Sequence, residues 1–435
     1  METKPFVVPE GTVAIRWGNC VLKRKIWIFK RKTYIAIPKD VTEIVIPDSV
    51  TEINYGAFGG LPSVVQIDIP RSVTKIERGA FNGCSSLAAI KVSAENPVFR
   101  DEDGVLIEGT ALRRFPIGKN VQSYSIPESV TEFHWQAFEG CSLTEIVIPG
   151  SVKKIGDEIF DVFFNCPSFA AIKVSAENPV FHDEDGVLFK GTVLWRFPFR
   201  KNVQTYNIPG HVTRISFKAF SECSQLTEVN IPGSVTRIGN QAFENCSSLT
   251  SVTIPKSVTE IERGTFESCS SLAEIIIPGS VTLIGSWTFK ECSSLARINI
   301  PDSVTEIGLG AFKGCSSLTQ IDIPRSVTKI APLAFAGCSS LTHINIPDSI
   351  AEIDSYVFED CASLSKIRIP GSVTKIGAGT FKGCSSLREI NIPDSVTKIG
   401  FSAFNGCSSL ETVYAPKRLS LSKTGIPRSA KIIRY

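Results

Sequence analysis

The chain has little of the material from which most catalytic and metal sites are built. It contains one methionine and four histidines, so few side chains titrate near neutral pH or offer an imidazole to a metal. None of its 13 cysteines stands in a C-x-x-C pair, which excludes zinc-ribbon and dithiol redox motifs. The G-x-x-x-x-G-K, G-x-G-x-x-G and G-x-S-x-G patterns of nucleotide-binding proteins and hydrolases are also missing. These absences predict a protein that is not an enzyme and that has no cofactor or metal.

Long apolar runs and an excess of one charge are lacking as well. No window approaches the ~20 apolar residues of a membrane-spanning helix, and no apolar signal-peptide core follows Met1. The net charge is only +3, from 46 basic and 43 acidic residues, so nothing draws the whole chain to nucleic acid or to anionic membranes. We therefore expect no nucleic-acid partner and no transmembrane segment, and the missing export signal slightly favours the reducing cytoplasm.

A 23-residue repeat organises most of the sequence. Prolines stand 23 residues apart from Pro209 to Pro416, and phenylalanines from Phe220 to Phe404 keep the same step. In each unit, Leu-x-x-Ile-x-Ile alternates with period 2 and predicts a short strand that ends at the proline. Ser-Val-Thr-x-Ile predicts a second short strand, and the spacing in Ala-Phe-x-x-Cys fits one or two helical turns. Because one unit buries too little apolar surface to fold alone, stacked coils must form the core. The prediction is an α/β solenoid, curved and horseshoe-like, with short parallel strands and short helices.

Most cysteines occupy one position of this repeat. From Cys223 to Cys407, nine of them follow at steps of 23 residues. A cysteine at a fixed apolar position predicts a buried ladder of free thiols, since a thiol packs as a small hydrophobic group. Disulfides between stacked neighbours are the alternative.

The repeat also divides the chain. Residues 1–38 lack it and are predicted to form an N-terminal cap. Residues 39–208 are predicted to be irregular repeats, 209–416 nine regular repeats, and 417–435 a C-terminal cap. Two variant units at about 88–127 and 170–209 are near copies, and Gly109-Thr110 in the first predicts a β-hairpin in place of the helix.

Two segments invite a functional interpretation. Lys23–Lys25 and Lys30–Lys32 flank the apolar run Ile26–Phe29, which is typical of a capping hairpin with a basic turn or of a nucleic-acid or membrane contact. Asp101–Gly104 indicates either a tight turn or a weak calcium site. The turn is favoured because Phe99 and Thr110 occupy positions where an EF-hand has ligands.

The repeat IPxSVTxIGxxAFxGCSSLTxIxIP resembles the BspA-type leucine-rich repeats, also called the Treponema pallidum class. The NPxF…DGVL…LxxFP…YxIP segment is similar to a variant unit of that family. The resemblance covers about residues 40–416 and implies a leucine-rich-repeat solenoid. It also implies surface-exposed proteins that adhere to host proteins or to other cells, with no catalytic residues. The predicted function is protein binding by a monomer, through surface adhesion or, alternatively, as an intracellular scaffold or effector.

Specificity on such a fold is expected from the outward positions of the first strand in each coil, on the concave face. This face is polar with mixed charge and has a basic spot, which suits a protein partner. The candidate partner-binding residues are Arg297, Asn299, Gln320, Asp322, His343, Asn345, Lys366, Arg368, Glu389, Asn391 and Tyr414. A second line of large side chains lies just before the Ala-Phe pair of several coils. These side chains either form a second contact surface for a partner or pack between neighbouring coils. They are Phe217, Trp287, Leu309, Leu333, Tyr356 and Phe401.

Overall fold

The computed structural model describes residues 4–10, 12, 14–15, 21–22, 33–34, 37–156, 162–163 and 165–435. The chain divides into two compact units, Met1–Gly191 and Thr192–Tyr435, and each is described by itself. The basic and aromatic segment 23–32 of the predicted N-terminal cap lies outside the described residues, as does Cys20. The cap and repeat boundaries inferred from the sequence stay a prediction.

The first unit contains nineteen strands among its described residues. They are β1 (Pro5–Val7), β2 (Ala14–Ile15), β3 (Val21–Leu22), β4 (Thr33–Tyr34), β5 (Glu43–Val45), β6 (Glu52–Ile53), β7 (Gln66–Ile69), β8 (Lys75–Ile76), β9 (Ala89–Val92), β10 (Phe99–Glu102), β11 (Val105–Glu108), β12 (Ala111–Arg114), β13 (Ser123–Ser125), β14 (Glu132–Phe133), β15 (Glu145–Ile148), β16 (Lys154–Ile155), β17 (Ala171–Val174), β18 (Phe181–Glu184) and β19 (Val187–Lys190).

The second unit contains twenty strands. They are β20 (Val193–Arg196), β21 (Thr205–Asn207), β22 (Arg214–Ile215), β23 (Glu228–Asn230), β24 (Arg237–Ile238), β25 (Ser251–Thr253), β26 (Glu260–Ile261), β27 (Glu274–Ile276), β28 (Leu283–Ile284), β29 (Arg297–Asn299), β30 (Glu306–Ile307), β31 (Gln320–Asp322), β32 (Lys329–Ile330), β33 (His343–Asn345), β34 (Glu352–Ile353), β35 (Lys375–Ile376), β36 (Glu389–Asn391), β37 (Lys398–Ile399), β38 (Thr412–Ala415) and β39 (Lys431–Arg434).

Two parallel ladders run through the regular coils. The main strand precedes the proline, and the short strand follows it. Main strands pair in register at the repeat spacing, as β21, β23 and β25 do, and the short strands β28, β30 and β32 do the same. Val229 and Ile238 point inward and are fully buried, whereas Asn230 is exposed. The predicted pair of short parallel strands is therefore confirmed, except that residues 366–368 form only a bridge.

The predicted short helices are wrong, because the described residues contain no helix. The backbone is left-handed at two positions four residues apart, for example Gly310 (φ 57°) and Gly314 (φ 75°). The amides of Gly310, Phe312 and Gly314 donate to carbonyls of the next coil, while Ala311 and Lys313 donate to the residue three positions earlier. Alternate amides thus bond between coils, which rules out the consecutive i→i−4 bonds of an α-helix.

The first left-handed position recurs in every regular coil of the second unit, whatever residue occupies it. Its members are Lys218, Gln241, Gly264, Trp287, Gly310, Leu333, Tyr356, Gly379 and Ser402. The turn geometry is therefore imposed by the stacking of coils and not by a glycine at this position.

Rings and thiols form two internal stacks along the second unit. Consecutive rings from Phe220 to Phe404 have centroids 4.9–5.9 Å apart and are tilted by 13° or less. Each thiol from Cys246 to Cys407 donates a hydrogen bond to the carbonyl of the phenylalanine 26 residues earlier, at 3.0–3.2 Å. All twelve cysteines in the described part of the chain are buried and free. The thiol ladder is therefore confirmed.

The first variant unit contains the hairpin expected from Gly109-Thr110, formed by β11 and β12. One more strand, β10, pairs antiparallel with β11 on its other side. Strand β12 then continues the short-strand ladder by pairing parallel with β14. In the second variant unit, β18 and β19 pair in the same antiparallel way.

An asparagine explains the Asn-Pro-Val-Phe motif of the variant units. The amide of Asn96 donates to the carbonyls of Pro70 and Val73 in the preceding coil, at 2.8 and 2.9 Å. Its oxygen accepts from the amides of residues 98 and 99. Asn178 makes the same four bonds in the second variant unit. The side chain thereby ties the variant strand to the coil before it.

Candidate binding surface

The main-strand face of the second unit is the outward side of the strands that precede the prolines. Alternation along each strand directs its central residue inward and the two flanking residues outward, as in β31, where Ile321 is buried between Gln320 and Asp322. Ten of the eleven candidate residues are exposed on this face. Tyr414 is half-buried in β38 and lies opposite Asn391 in the ladder.

Six candidate residues line one groove of about 1340 Å³ on this face. They are His343, Asn345, Lys366, Arg368, Glu389 and Asn391. Hydroxyl groups of Ser363, Ser365, Ser386, Ser409 and Thr412 and the charges of Arg388 and Glu411 complete its polar lining. The groove therefore offers many hydrogen-bonding groups together with charges of both signs.

The groove lies where the main-strand ladder is interrupted. Residues 366–368 form no strand, and a single bridge between Asn345 and Arg368 connects them to the preceding coil. Strands β33 and β36 accordingly belong to different sheets of two and three strands. The groove therefore spans a break between two sheets of the main-strand ladder.

Two cations in the groove have no ion-pair partner. Arg368 is bonded to Asp348 at 3.3 Å, with both side chains exposed. Lys366 and Arg388 have no carboxylate within ion-pair distance among the described residues. Their charges are therefore available to a ligand without first breaking an internal pair.

A smaller hollow of about 270 Å³ lies farther toward the N-terminus on the same face. It contains four more candidates: Arg297, Asn299, Gln320 and Asp322. It also contains Ile276, which is 72% exposed and has the largest exposed fraction among the large apolar side chains of the described residues. An isoleucine open to water on a binding face is a natural anchor for an apolar group of a partner.

Comparison with known families identifies the repeat. The model of the BspA type leucine-rich repeat region matches residues 34–168, 114–183, 196–319 and 305–426, which is most of the chain. The chain belongs to the BspA-type leucine-rich repeat family. The leucine-rich-repeat solenoid expected from the sequence is thus confirmed, apart from its helices. No curated protein matches the sequence.

Solved structures of leucine-rich repeat proteins are similar to this family member. A protein from Eubacterium ventriosum is 26% identical, with 79% of this chain and 82% of that chain covered and a TM-score of 0.52. A leucine rich cell surface protein from Faecalibacterium prausnitzii is 26% identical, with 78% and 89% covered and a TM-score of 0.50. One from Bacteroides ovatus is also 26% identical, with 99% and 97% covered and a TM-score of 0.47.

Sequence reasoning on this BspA-type chain missed Arg388 and the serines of the groove. Arg388 has the same parity as the buried Ile390, so strict alternation places it inside. However, β36 begins only at Glu389, and the residue before a strand is not bound by its alternation. The signal that could have found it is the variable position directly after the repeat leucine, which holds Ser365, Arg388 and Glu411 in successive coils.

The second line of large side chains is mostly packed. Phe217, Leu309 and Leu333 are half-buried, and the Trp287 ring covers the next coil. Its two exposed members are Tyr356, at 38%, and Phe401, at 69%. Of the two alternatives for these side chains, packing between coils therefore applies to most of them.

The acidic segment of the first variant unit forms a turn. One oxygen of Asp101 accepts the amide of Val92 at 2.8 Å. The other accepts the amide of Gly104 at 3.3 Å and lies 3.4 Å from Lys91 Nζ. Both carboxylate oxygens are thus already held by N–H donors, which supports the turn.

A search of the described residues for a helix that could span a membrane found none.

Proposed function

We propose that this BspA-type protein is a non-catalytic monomer that binds a protein partner through the main-strand face of its second unit. The observation that carries the proposal is the groove around Lys366 and Arg388, which combines unpaired cations with a row of hydroxyl and amide groups. A polypeptide presents the matching carboxylates and backbone groups. The groove also contains Glu389 and Glu411, which would repel the phosphates of a nucleic acid.

The hollow around Ile276 extends the proposed surface. Ile276 lies four coils before Arg368, which is about 19 Å at the ~4.8 Å spacing of stacked strands. A protein interface of ordinary size covers ~800 Å² on each side, enough to span both. The proposed partner therefore places an apolar side chain against Ile276 and acidic groups against Lys366 and Arg388.

The biological setting that we propose is adhesion at the cell surface to proteins of a host or of a neighbouring cell. The family resemblance and the Faecalibacterium relative described as a cell surface protein support this setting. The second candidate is an intracellular scaffold or effector. It is favoured by the ladder of buried thiols, which suits a reducing compartment.

Protease shaving of intact source cells separates the two settings. Loss of the chain from intact cells would support adhesion. Full protection, with cleavage only after lysis, would overturn the adhesion proposal and leave the scaffold.

Site-specific photo-cross-linking tests the binding face. A photo-reactive residue at Asn391, inside the groove, should capture one partner, whereas the same residue at Thr397, on the short-strand side, should not. Replacing both Lys366 and Arg388 by glutamate should weaken binding of that partner at least tenfold, mostly at low salt. The matched control Lys398→Glu reverses an exposed lysine of β37 and should leave binding unchanged. Equal losses in both variants would refute the proposed face.

A further inference from the structure

Two thiols of the first unit lie in direct contact. The sulfur atoms of Cys141 and Cys166 are 3.3 Å apart, and both side chains are buried. The Cys166 thiol also donates a hydrogen bond to the carbonyl oxygen of Phe138 at 2.8 Å. In the regular ladder of the second unit, thiols such as Cys246 and Cys407 make the same kind of bond to a phenylalanine carbonyl of the preceding coil.

The sequence around this pair departs from the repeat. Cys141 and Cys166 are 25 residues apart, whereas regular ladder cysteines are 23 apart. The sequence from Ile155 to Cys166 is longer than the equivalent sequence from Ile307 to Cys315, and part of it lies outside the described residues. The variant unit that precedes Cys141 carries no cysteine, and it brings an arginine into the core of the unit.

That arginine, Arg114, is 6% exposed. Its Nη1 donates to the carbonyl of Gln136 at 3.0 Å, and Glu139 lies 3.6 Å away. Its Nε is buried and has no hydrogen-bond partner among the described residues. Its positive charge favours the thiolate forms of Cys141, Cys84 and Cys166. A buried cation beside a thiol stabilises the thiolate, which is the reactive form.

The two kinds of thiol differ in acidity. The hydrogen bond with Cys166 lowers the pKa of Cys141 against the effect of burial, and Arg114 acts in the same direction. Burial raises the pKa of Cys292 and of Cys338 to about 12. Cys141 is therefore the more acidic of the thiols compared here.

We propose that Cys141 and Cys166 form an oxidisable thiol pair, a modification site that hydroperoxides convert to a disulfide. The Cys141 thiolate attacks one peroxide oxygen, the O–O bond breaks, and the sulfenic acid forms while the leaving hydroxide takes a proton to become water. The Cys166 sulfur then attacks the Cys141 sulfur. The S–S bond forms as the S–O bond breaks, and a second water leaves. Two thiols are oxidised and one hydrogen peroxide is reduced to two waters.

The pair can reach bonding geometry with small movements. A disulfide needs sulfurs ~2.05 Å apart and α-carbons about 4.4–6.8 Å apart. Residues at equivalent positions of stacked coils lie ~4.8 Å apart, inside that range. The bond would link the coil that contains Cys141 to the coil that contains Cys166.

The test is oxidation of the reduced, full-length chain with one equivalent of hydrogen peroxide, followed by alkylation and digestion without reductant. Mass spectrometry should find the peptide linked through Cys141 and Cys166 at least tenfold more often than any other cysteine pair. Cys141→Ser should abolish the linkage, and Cys292→Ser, a matched ladder thiol, should leave it unchanged. Absence of the linked peptide in the wild-type chain, or equal yields from Cys315 and Cys338, would overturn the proposal.

The role of Arg114 is tested by rate. Arg114→Gln should slow disulfide formation severalfold at neutral pH, and Arg114→Lys should largely restore it, because the charge remains. Equal rates of disulfide formation in all three folded proteins would show that Arg114 does not influence the thiol pair. The wild-type result decides the proposal even if a variant does not fold.

Discussion

The indole ring of Trp287 lies over the α-carbon of Gly310 in the next coil, where a β-carbon would overlap the ring. Both residues have left-handed backbone, with φ of 61° and 57°. Tyr356 covers Gly379 in the same way. An aromatic residue at the first left-handed position of one coil thus occupies the space that a side chain would need 23 residues later.

Gly310→Ala should lower the free energy of unfolding by about 2–4 kcal/mol, because it adds the strain of left-handed alanine to overlap with the Trp287 ring. Gly337→Ala is the matched control. Gly337 has φ of 74°, but its β-carbon would approach other atoms only to 3.5 Å, so about 1–2 kcal/mol is expected. Urea unfolding measures the free energy of unfolding of both variants. Equal losses would show that the Trp287 ring does not block a side chain at position 310.

Phe312→Ala should destabilise the protein by about 3–5 kcal/mol, because it removes a fully buried ring from the middle of the phenylalanine stack. The same substitution at Phe401, which is 69% exposed, should cost less than about 1 kcal/mol. An unchanged midpoint for Phe312→Ala in chemical denaturation would contradict the core assignment.

Stability should fall steeply in alkali. Burial raises the pKa of Cys338 from 9.0 to about 12, so the folded chain keeps a proton that the unfolded chain releases. Below about pH 8 both states hold the proton and stability does not depend on this group. As pH rises through 9 toward 12, each such thiol removes up to ~1.4 kcal/mol per pH unit.

The measurement is the urea midpoint between pH 7 and 11 for the wild-type chain and for Cys338→Ala. The free energy of unfolding of the variant should fall less per pH unit than that of the wild-type chain. The difference should correspond to one proton released on unfolding. Parallel profiles would mean that this thiol titrates alike in the folded and unfolded states.

Calcium should not stabilise the first unit, because N–H donors hold both oxygens of Asp101. The melting temperature should be the same in millimolar calcium and in chelator. Asp101→Ala should lower stability by about 1–2 kcal/mol, since the amide of Val92 loses its acceptor. A calcium-dependent rise in the melting temperature that Asp101→Ala abolishes would favour a metal site.

The repeat was readable from the sequence because each coil meets the same environment. Isoleucine alternation and the proline stop predicted both strands of a coil, and the cysteine spacing predicted the buried ladder. The helix prediction failed at the Ala-Phe segment. Local spacing there fits a helical turn, but amides such as that of Phe312 bond to the next coil instead. Such bonds join residues 22 positions apart, beyond the reach of local propensity.

The candidate surface was only partly predictable from the sequence. Outward positions such as Lys366 and Glu389 follow from alternation, and the structure places both in one groove. The clustering itself, the contribution of Arg388 and the exposure of Ile276 depend on where individual strands begin and how tightly they pair.

The sequence by itself determined the coil length, the inward and outward sides of each strand and the apolar ladders, because these follow from periodicity and side-chain chemistry. Only the tertiary structure decided which surface residues meet, where the main ladder is interrupted, and that Cys141 touches Cys166. The physical reason is that stacking sets contacts between residues more than 20 positions apart. Those contacts depend on how each coil packs on its neighbours, which no single repeat encodes.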